Sequence, residues 1–201
     1  MQYATRINSH LVGGKNIYGA LDDIGRIEGI DFVDMNYPEH FGGQDMEAIA
    51  ACLQRNGLRL NAINMRFRGE YINGVFTNVE QDIRNKAVRL CIDAAQVCKQ
   101  LGGKQLIVWL SYDGNDYPFQ ADYPRAWAYM VECFRQVCDG VDIPVSIEYK
   151  PHEERSFAFL DSYAATMLLC NEVGRENLGV TVDVCHMLMK HENPAFAVAM
   201  L

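Results

Sequence analysis

The feature that most constrains this chain is a repeated alternation of short apolar runs with amphipathic helical segments. Ile30–Asn36, Leu58–Met65, Gln105–Leu110, Ile143–Ile147 and Leu178–Val182 read as buried strands, and Tyr3–Asn8 as a further strand at the start. Between them, apolar residues recur at helical spacing. Met46, Ile49, Ala50 and Leu53 mark a helix over Gln44–Arg55, and Ile83, Ala87, Leu90, Cys91, Ala94 and Cys98 mark a longer one. Ile17–Ile27, Tyr123–Val137 and a segment from an Asp161 cap to Gly174 are the other expected helices, with one more opening at Ala195. The punctuation agrees. Asn56-Gly57 and Gly102-Gly103 are helix stops, Thr77-Asn78-Val79-Glu80 reads as a capping box, and Asn193-Pro194 reads as a cap followed by a first-turn proline.

Strands that are apolar throughout, joined by helices, imply a parallel α/β sheet covered on both faces. Such a sheet is either open and doubly wound or closed into a (β/α)₈ barrel. No glycine-rich phosphate loop follows any strand, which weakens the nucleotide-binding open form. Polar groups at the ends of several strands favour the barrel. About six βα units are visible where closure needs eight, and the last helical pattern has no C-cap. The expectation is therefore an incomplete TIM-type barrel, a single domain over residues 1–201 that lacks its last strands.

The 201 residues are 49% hydrophobic with a net charge of −8, so the chain is globular and acidic. The charge argues against nucleic acid or anionic membranes as main partners, while leaving room for a small anionic ligand in a local basic pocket. Seven cysteines, an odd number without a CxxC pair, suit reduced thiols. There is no apolar signal core and no 18-residue apolar run. A cytoplasmic, soluble protein is expected.

Two clusters carry chemistry. Glu148 and Lys150 lie two residues apart at the end of the Ile143–Ile147 run, so they share one face of a strand. That arrangement suits a metal ligand beside a polarising lysine, and equally a structural ion pair. One βαβ step later, the run Leu178–Val182 ends in Asp183-Val184-Cys185-His186. Parallel neighbours would bring Asp183 to the rim that holds Glu148. The carboxylate, with a histidine three residues on, would offer ligands to one or two cations.

The run Glu148-Tyr149-Lys150-Pro151-His152-Glu153-Glu154-Arg155 resembles the Glu-Pro-Lys-Pro-Asn-Glu-Pro-Arg signature of xylose isomerases. Gly74-Val75-Phe76-Thr77-Asn78, Val108-Trp109-Leu110-Ser111-Tyr112-Asp113-Gly114 and Asp116-Tyr117-Pro118-Phe119-Gln120 are similar to further segments of the same family. The likeness covers roughly residues 58 to 201 and points to the wider superfamily of sugar isomerases and epimerases rather than to xylose. It implies Glu148 as a metal ligand and Lys150 as the group that polarises the substrate carbonyl. It implies Asp183 as a bridging ligand, His186 as a ligand of a second metal or a substrate contact, and Trp109 as a pocket wall. The implied cofactor is Mn²⁺, or Mg²⁺ or Co²⁺. The implied reaction is isomerisation or epimerisation of a small carbohydrate through a metal-bound alkoxide or enediolate.

Departures from the family pattern bear on the substrate. Asn36 and Glu39 stand where xylose isomerases have a His and an Asp that help open the sugar ring, and asparagine cannot shuttle protons near neutral pH. Arg66 replaces a pocket Phe and Asn8 a Trp. Asn36 and Arg66 are thus expected substrate contacts in a more polar pocket, with Arg66 suited to a carboxylate, phosphate or sulfonate. The other reading of Arg66 is a rim residue paired with Glu70 or Asp113. A lyase that cleaves C-glycosides and an inactive partial barrel are alternatives. A zinc endonuclease is disfavoured by five histidines and an acidic surface. Ligands from further strands would lie beyond Leu201, and the complete enzyme is expected to be a homo-oligomer.

Overall fold

The computed structural model describes residues 2–201. In chain order the elements are β1 (Ala4–Arg6), α1 (Ile17–Ile24), β2 (Phe32–Tyr37), α2 (Met46–Arg55), β3 (Arg59–Met65), α3 (Gln81–Gln100) and β4 (Gln105–Val108). There follow β5 (Gly114–Asn115), α4 (Tyr123–Asp139), β6 (Val145–Glu148), β7 (Phe157–Ala158), α5 (Tyr163–Val173), β8 (Leu178–Thr181), α6 (Val184–Met189) and α7 (Pro194–Met200). Six strands form one sheet in the order β1-β2-β3-β4-β6-β8, and β5 pairs separately with β7. The pairs β1–β2, β2–β3 and β6–β8 are parallel. This is the parallel α/β architecture expected from the alternation.

The chain divides into two compact units, Met1–Arg66 with Ala94–Leu106, and Phe67–Asp93 with Ile107–Leu201. In the first, Ala20, Leu21 and Ile24 of α1 and Ile49 and Leu53 of α2 are buried, as are Val33, Met35, Leu60 and Ile63 of the strands. The β2–β3 register shifts between Val33 and Asp34. There Asp34 Oδ1 accepts from Ala62 N at 3.1 Å and from Asn61 Nδ2 at 2.8 Å, so the irregularity is stitched by a side chain.

The second unit is built on Phe76, Phe134, Met130, Val137, Val108, Ile147 and Leu169, all buried. The Phe76 and Phe134 rings meet edge to face at 5.0 Å. A buried carboxylate ties its loops together. Asp113 accepts from the backbone N–H of Val75, Phe76 and Thr77 at 2.7, 3.0 and 3.0 Å, and its carbonyl accepts from Phe159 N at 3.0 Å. The β5–β7 pair is equally tight. A Cβ on Gly114 would fall 2.3 Å from Phe157 O, so only glycine fits.

Several local expectations are corrected. The Thr77 hydroxyl donates to Asp113 instead of capping α3, and the Glu80 N–H is taken by Asn78 Oδ1 at 3.0 Å. A competing tertiary acceptor therefore replaces the capping box. The cap of α5 is Ser162, which accepts from Ala165 N, while Asp161 pairs with Lys190. The strand expected over Gln105–Leu110 stops at Val108, and the one over Tyr3–Asn8 stops at Arg6, where Ile7–His10 turns into a 3₁₀ helix. The first helix ends at Ile24 rather than Ile27. Helix α6, directly after Asp183, was not expected. The helix stop at Gly174 and the Asn193 cap with Pro194 stand as read.

The cysteines are free, with five buried, Cys170 half-buried and Cys185 exposed. Burial pushes the Cys98 thiol up to about 11 and the Cys133 thiol to about 12, so both stay protonated at neutral pH. Among the described residues no helix is long and apolar enough to cross a membrane.

Candidate functional site

The site forms where β6 and β8 end. Their parallel register sets Glu148 opposite Thr181. Asp183, two residues further on, keeps an extended backbone (φ −98°, ψ 104°) and then starts α6 as its N-cap. Its Oδ1 accepts from His186 N at 3.0 Å. That cap folds the chain back within one turn, so a residue three positions on returns toward the strand ends. Oδ2 remains for a ligand.

His186 is buried, and its Nδ1 lies 2.8 Å from the Tyr149 carbonyl. A carbonyl only accepts, so Nδ1 carries a proton and donates to it. Nδ1 is 3.5 Å from Asp183 Oδ2 and 3.8 Å from Glu148 Oε1. Glu148, Asp183 and His186 each offer a donor atom, all within 4.8 Å of one another. Two donors on one cation with bonds of about 2.0–2.6 Å are at most about 5 Å apart, so the three are close enough to share an ion. An oxygen-rich set with one imidazole suits Mn²⁺ or Mg²⁺ better than a thiolate-seeking metal. Three protein donors also match an open, reactive centre more than a closed structural one.

Lys150 lies beyond the end of β6, yet shares a cleft with Glu148, Trp109, Asp113 and Leu160. Its ammonium is 5.4 Å from the Trp109 ring centroid, a cation–π distance. The carboxylate paired with it is that of Glu153, three residues on, and the ammonium beside it holds the Glu153 carboxyl below the usual range. Glu148 faces the imidazole instead, so the ion pair weighed between Glu148 and Lys150 gives way to Lys150–Glu153. Between them, Tyr149 turns inward and donates to Glu192 Oε2 at 2.5 Å. Glu192 Oε1 accepts from Tyr163 N at 2.9 Å, which fixes the segment after α6. Burial, then Glu192, pushes the Tyr149 phenol far up, so it stays a donor.

Asn36 and Arg66 belong to the other unit, at the carboxyl ends of β2 and β3. Asn36 is buried; Arg6 donates to its Oδ1 at 3.0 Å, and its Nδ2 donates to Glu39 Oε2 at 2.9 Å. Glu70, weighed as a partner of Arg66, pairs with Lys86 at 2.7 Å. Sequence reasoning missed Glu153, Glu192 and the Asp113 strut. Glu153 sits at i+3 from Lys150 and was within reach of a spacing argument, whereas Glu192 and Asp113 are joined to their partners only through tertiary structure.

Parallel βα units with polar side chains gathered at the carboxyl ends of the strands are the arrangement of a TIM-type barrel. The chain belongs to the xylose isomerase-like TIM barrel family, whose model matches residues 20–201. A probable sugar isomerase of Mesorhizobium japonicum is 24% identical over 152 residues, which are 71% of this chain and 35% of that one. The chain thus spans about a third of that relative. The D-allulose 3-epimerase of Methylomonas sp., solved with D-allulose, superposes with a TM-score of 0.80 at 19% identity, over 98% of this chain and 67% of that one. A family 2 AP endonuclease of Brucella melitensis superposes with a TM-score of 0.71 at 17% identity, over 92% of this chain and 69% of that one. These structural likenesses establish the fold.

Proposed function

We propose that this chain carries the catalytic end of a divalent-metal-dependent isomerase or epimerase of sugars or sugar derivatives. The observation behind this reading is the convergence of Glu148, Asp183 and His186 within 4.8 Å, beside a lysine set against an aromatic ring. A cation there, Mn²⁺ or else Mg²⁺ or Co²⁺, would supply Lewis-acid charge to adjacent substrate oxygens. Glu148 and Asp183 would hold it, with His186 completing the set or taking a substrate oxygen.

Lys150 is the group placed to polarise a carbonyl. Its side chain is 14% exposed, so its charge acts in a poorly hydrated setting. Its present partner, Glu153, is 59% exposed and can swing into water as a carbonyl oxygen takes its place. The Trp109 ring forms the wall behind the ammonium and presents an apolar face to a sugar ring. Glu148 at the strand end is the carboxylate suited to move a proton at the carbon beside that carbonyl. The sugar-isomerase relative and the epimerase fold neighbours support a carbohydrate as the small-molecule substrate.

The test is a calorimetric titration of Mn²⁺ into the full chain and into Glu148→Gln and Asp183→Asn. Saturable binding to the native chain, weakened at least about tenfold in each variant, is expected. Absence of saturable Mn²⁺, Mg²⁺ or Co²⁺ binding to the native chain would sink the reading.

A further inference from the structure

Glu192 takes no part in the proposed chemistry, yet its carboxylate is tied to the residue that stands between Glu148 and Lys150. Its place is set by how α6 ends. His191 N donates to Leu188 O at 3.0 Å and Glu192 N to Met187 O at 2.9 Å, with His191 in the left-handed region at φ 60°. These two bonds and that conformation make a Schellman motif, which folds the chain back at the end of a helix. Glu192 thus comes directly before the Asn193 cap of α7, and its side chain reaches back to the end of β6.

The carboxylate joins three elements there. Oε2 accepts from the Tyr149 hydroxyl at 2.5 Å. Oε1 accepts from Tyr163 N at 2.9 Å, in the first turn of α5, where a negative charge meets the positive end of the helix dipole. Tyr149 is 1% exposed, so no bulk water can replace the partner of its hydroxyl. The same residue offers its carbonyl to His186 Nδ1 at 2.8 Å. Tyr149 is therefore gripped twice by the α6 segment. The first turn of the helix holds its carbonyl, and the residue beyond the C-cap holds its hydroxyl. Fixed at two points, it has little freedom to rotate, and the residues on either side of it, Glu148 and Lys150, keep their directions.

We infer that Glu192 is a positioning residue of the candidate metal centre, acting through Tyr149 to orient the His186 imidazole and to hold Glu148 and Lys150 in place. The role rests on the metal reading of that centre, but the orientation of His186 can be measured without any metal. Donors ordered before a cation arrives bind it at lower cost, and outer partners of ligating side chains are typically worth about 10–100-fold in metal affinity.

Imidazole ¹⁵N–¹H spectra of the metal-free full chain, with Mn²⁺ calorimetry, test this on four variants. The native chain should show a His186 Nδ1 proton protected from exchange with water. Glu192→Ala and Tyr149→Phe should each lose that protection and bind Mn²⁺ about 10–100-fold more weakly, and the double variant should lose no more than either alone. In Glu192→Gln the side-chain oxygen can accept from Tyr163 N while the amide donates to the Tyr149 oxygen, so most of the affinity should return. Lys190→Ala breaks the half-exposed pair with Asp161 in the same segment and should change neither readout. If Glu192→Ala does not fold, Tyr149→Phe, which removes one oxygen, decides. Native protection and native affinity in folded Tyr149→Phe would overturn the role, as would an equal loss in Lys190→Ala. No Mn²⁺ binding by the native chain, with the His186 proton responding as expected, would discredit the proposed function and leave Glu192 as the residue that orients His186.

Discussion

Lys150 shares a cleft with Glu148, as its spacing suggested, but its ion-pair partner is another carboxylate. It answers to Glu153 and Trp109 rather than to Glu148. If its task is to stabilise charge developing on a carbonyl oxygen, Lys150→Met in the complete enzyme should cut turnover about 10²–10³-fold while leaving metal affinity within about twofold. Steady-state kinetics with a Mn²⁺ titration check both halves, and unchanged turnover would rule the role out. A second residue-scale expectation concerns Asp34. Burial raises its carboxyl above the usual range, outweighing the bonds from Asn61 and Ala62, both of which fall on Oδ1. Its folded-state pKa is thus above the unfolded value. The penalty for the charged form acts above the folded pKa and vanishes below the unfolded one. Asp34→Asn keeps an oxygen for both donors, so it should raise Tm at pH 7 by a few degrees and lose that gain as pH falls below about 4. Thermal melts across pH read this directly, and a lower Tm at pH 7 would contradict it.

Among the elements, α6 is tied most directly to the candidate metal site. Six residues long, it depends on Asp183 for its start, and Asp183 is also a candidate ligand. The two tasks separate by substitution. Serine caps helices as well as aspartate does but brings no charge. Asp183→Ser should therefore stay within about 0.5 kcal/mol of the native stability, whereas Asp183→Ala should lose about 1 kcal/mol. Both should lose metal affinity alike. Chemical denaturation with a parallel Mn²⁺ titration distinguishes them, and retained affinity in the serine variant would remove Asp183 from the ligand set. The other structural device at this scale is the Asp113 strut. One buried carboxylate holds the Val75–Thr77 segment while its own backbone holds Phe159, so the loops around the cleft of Glu148 and Lys150 share one anchor.

For the molecule as a whole, the exposed surface near its last elements dictates solution behaviour. Every residue of β8 is half-exposed, although in a parallel sheet such a strand is normally covered on both faces. Val184, Leu188, Phe196, Val198 and Met200 on α6 and α7 are exposed as well. A strand edge with unpaired backbone groups beside apolar side chains templates association. The 201-residue polypeptide should self-associate at micromolar concentration, and Leu188→Lys with Val198→Lys should reduce that association. Light scattering across a dilution series decides; a monomer at all concentrations would show that the edge is harmless.

The alternation of strands and helices was legible in the sequence because apolar periodicity and helix stops are local signals. The rim residues were legible for a related reason. Strand ends are read from where apolar runs stop, and parallel order follows from helical crossovers, so the sequence alone brings Glu148 and Asp183 to one rim. What tertiary structure alone decided were the choices between local options. Thr77 had both a capping role and a distant carboxylate available, and Asp113 took it. Asp161 and Ser162 were both fit to cap α5, and Lys190 drew Asp161 away. The His186 tautomer depends on a carbonyl that no spacing rule points to. Arg84 and Arg125 come from two helices and meet at the Tyr129 ring only once those helices pack. Local pattern sets which elements form and where they end, whereas competition among partners distant in sequence sets what each polar side chain does.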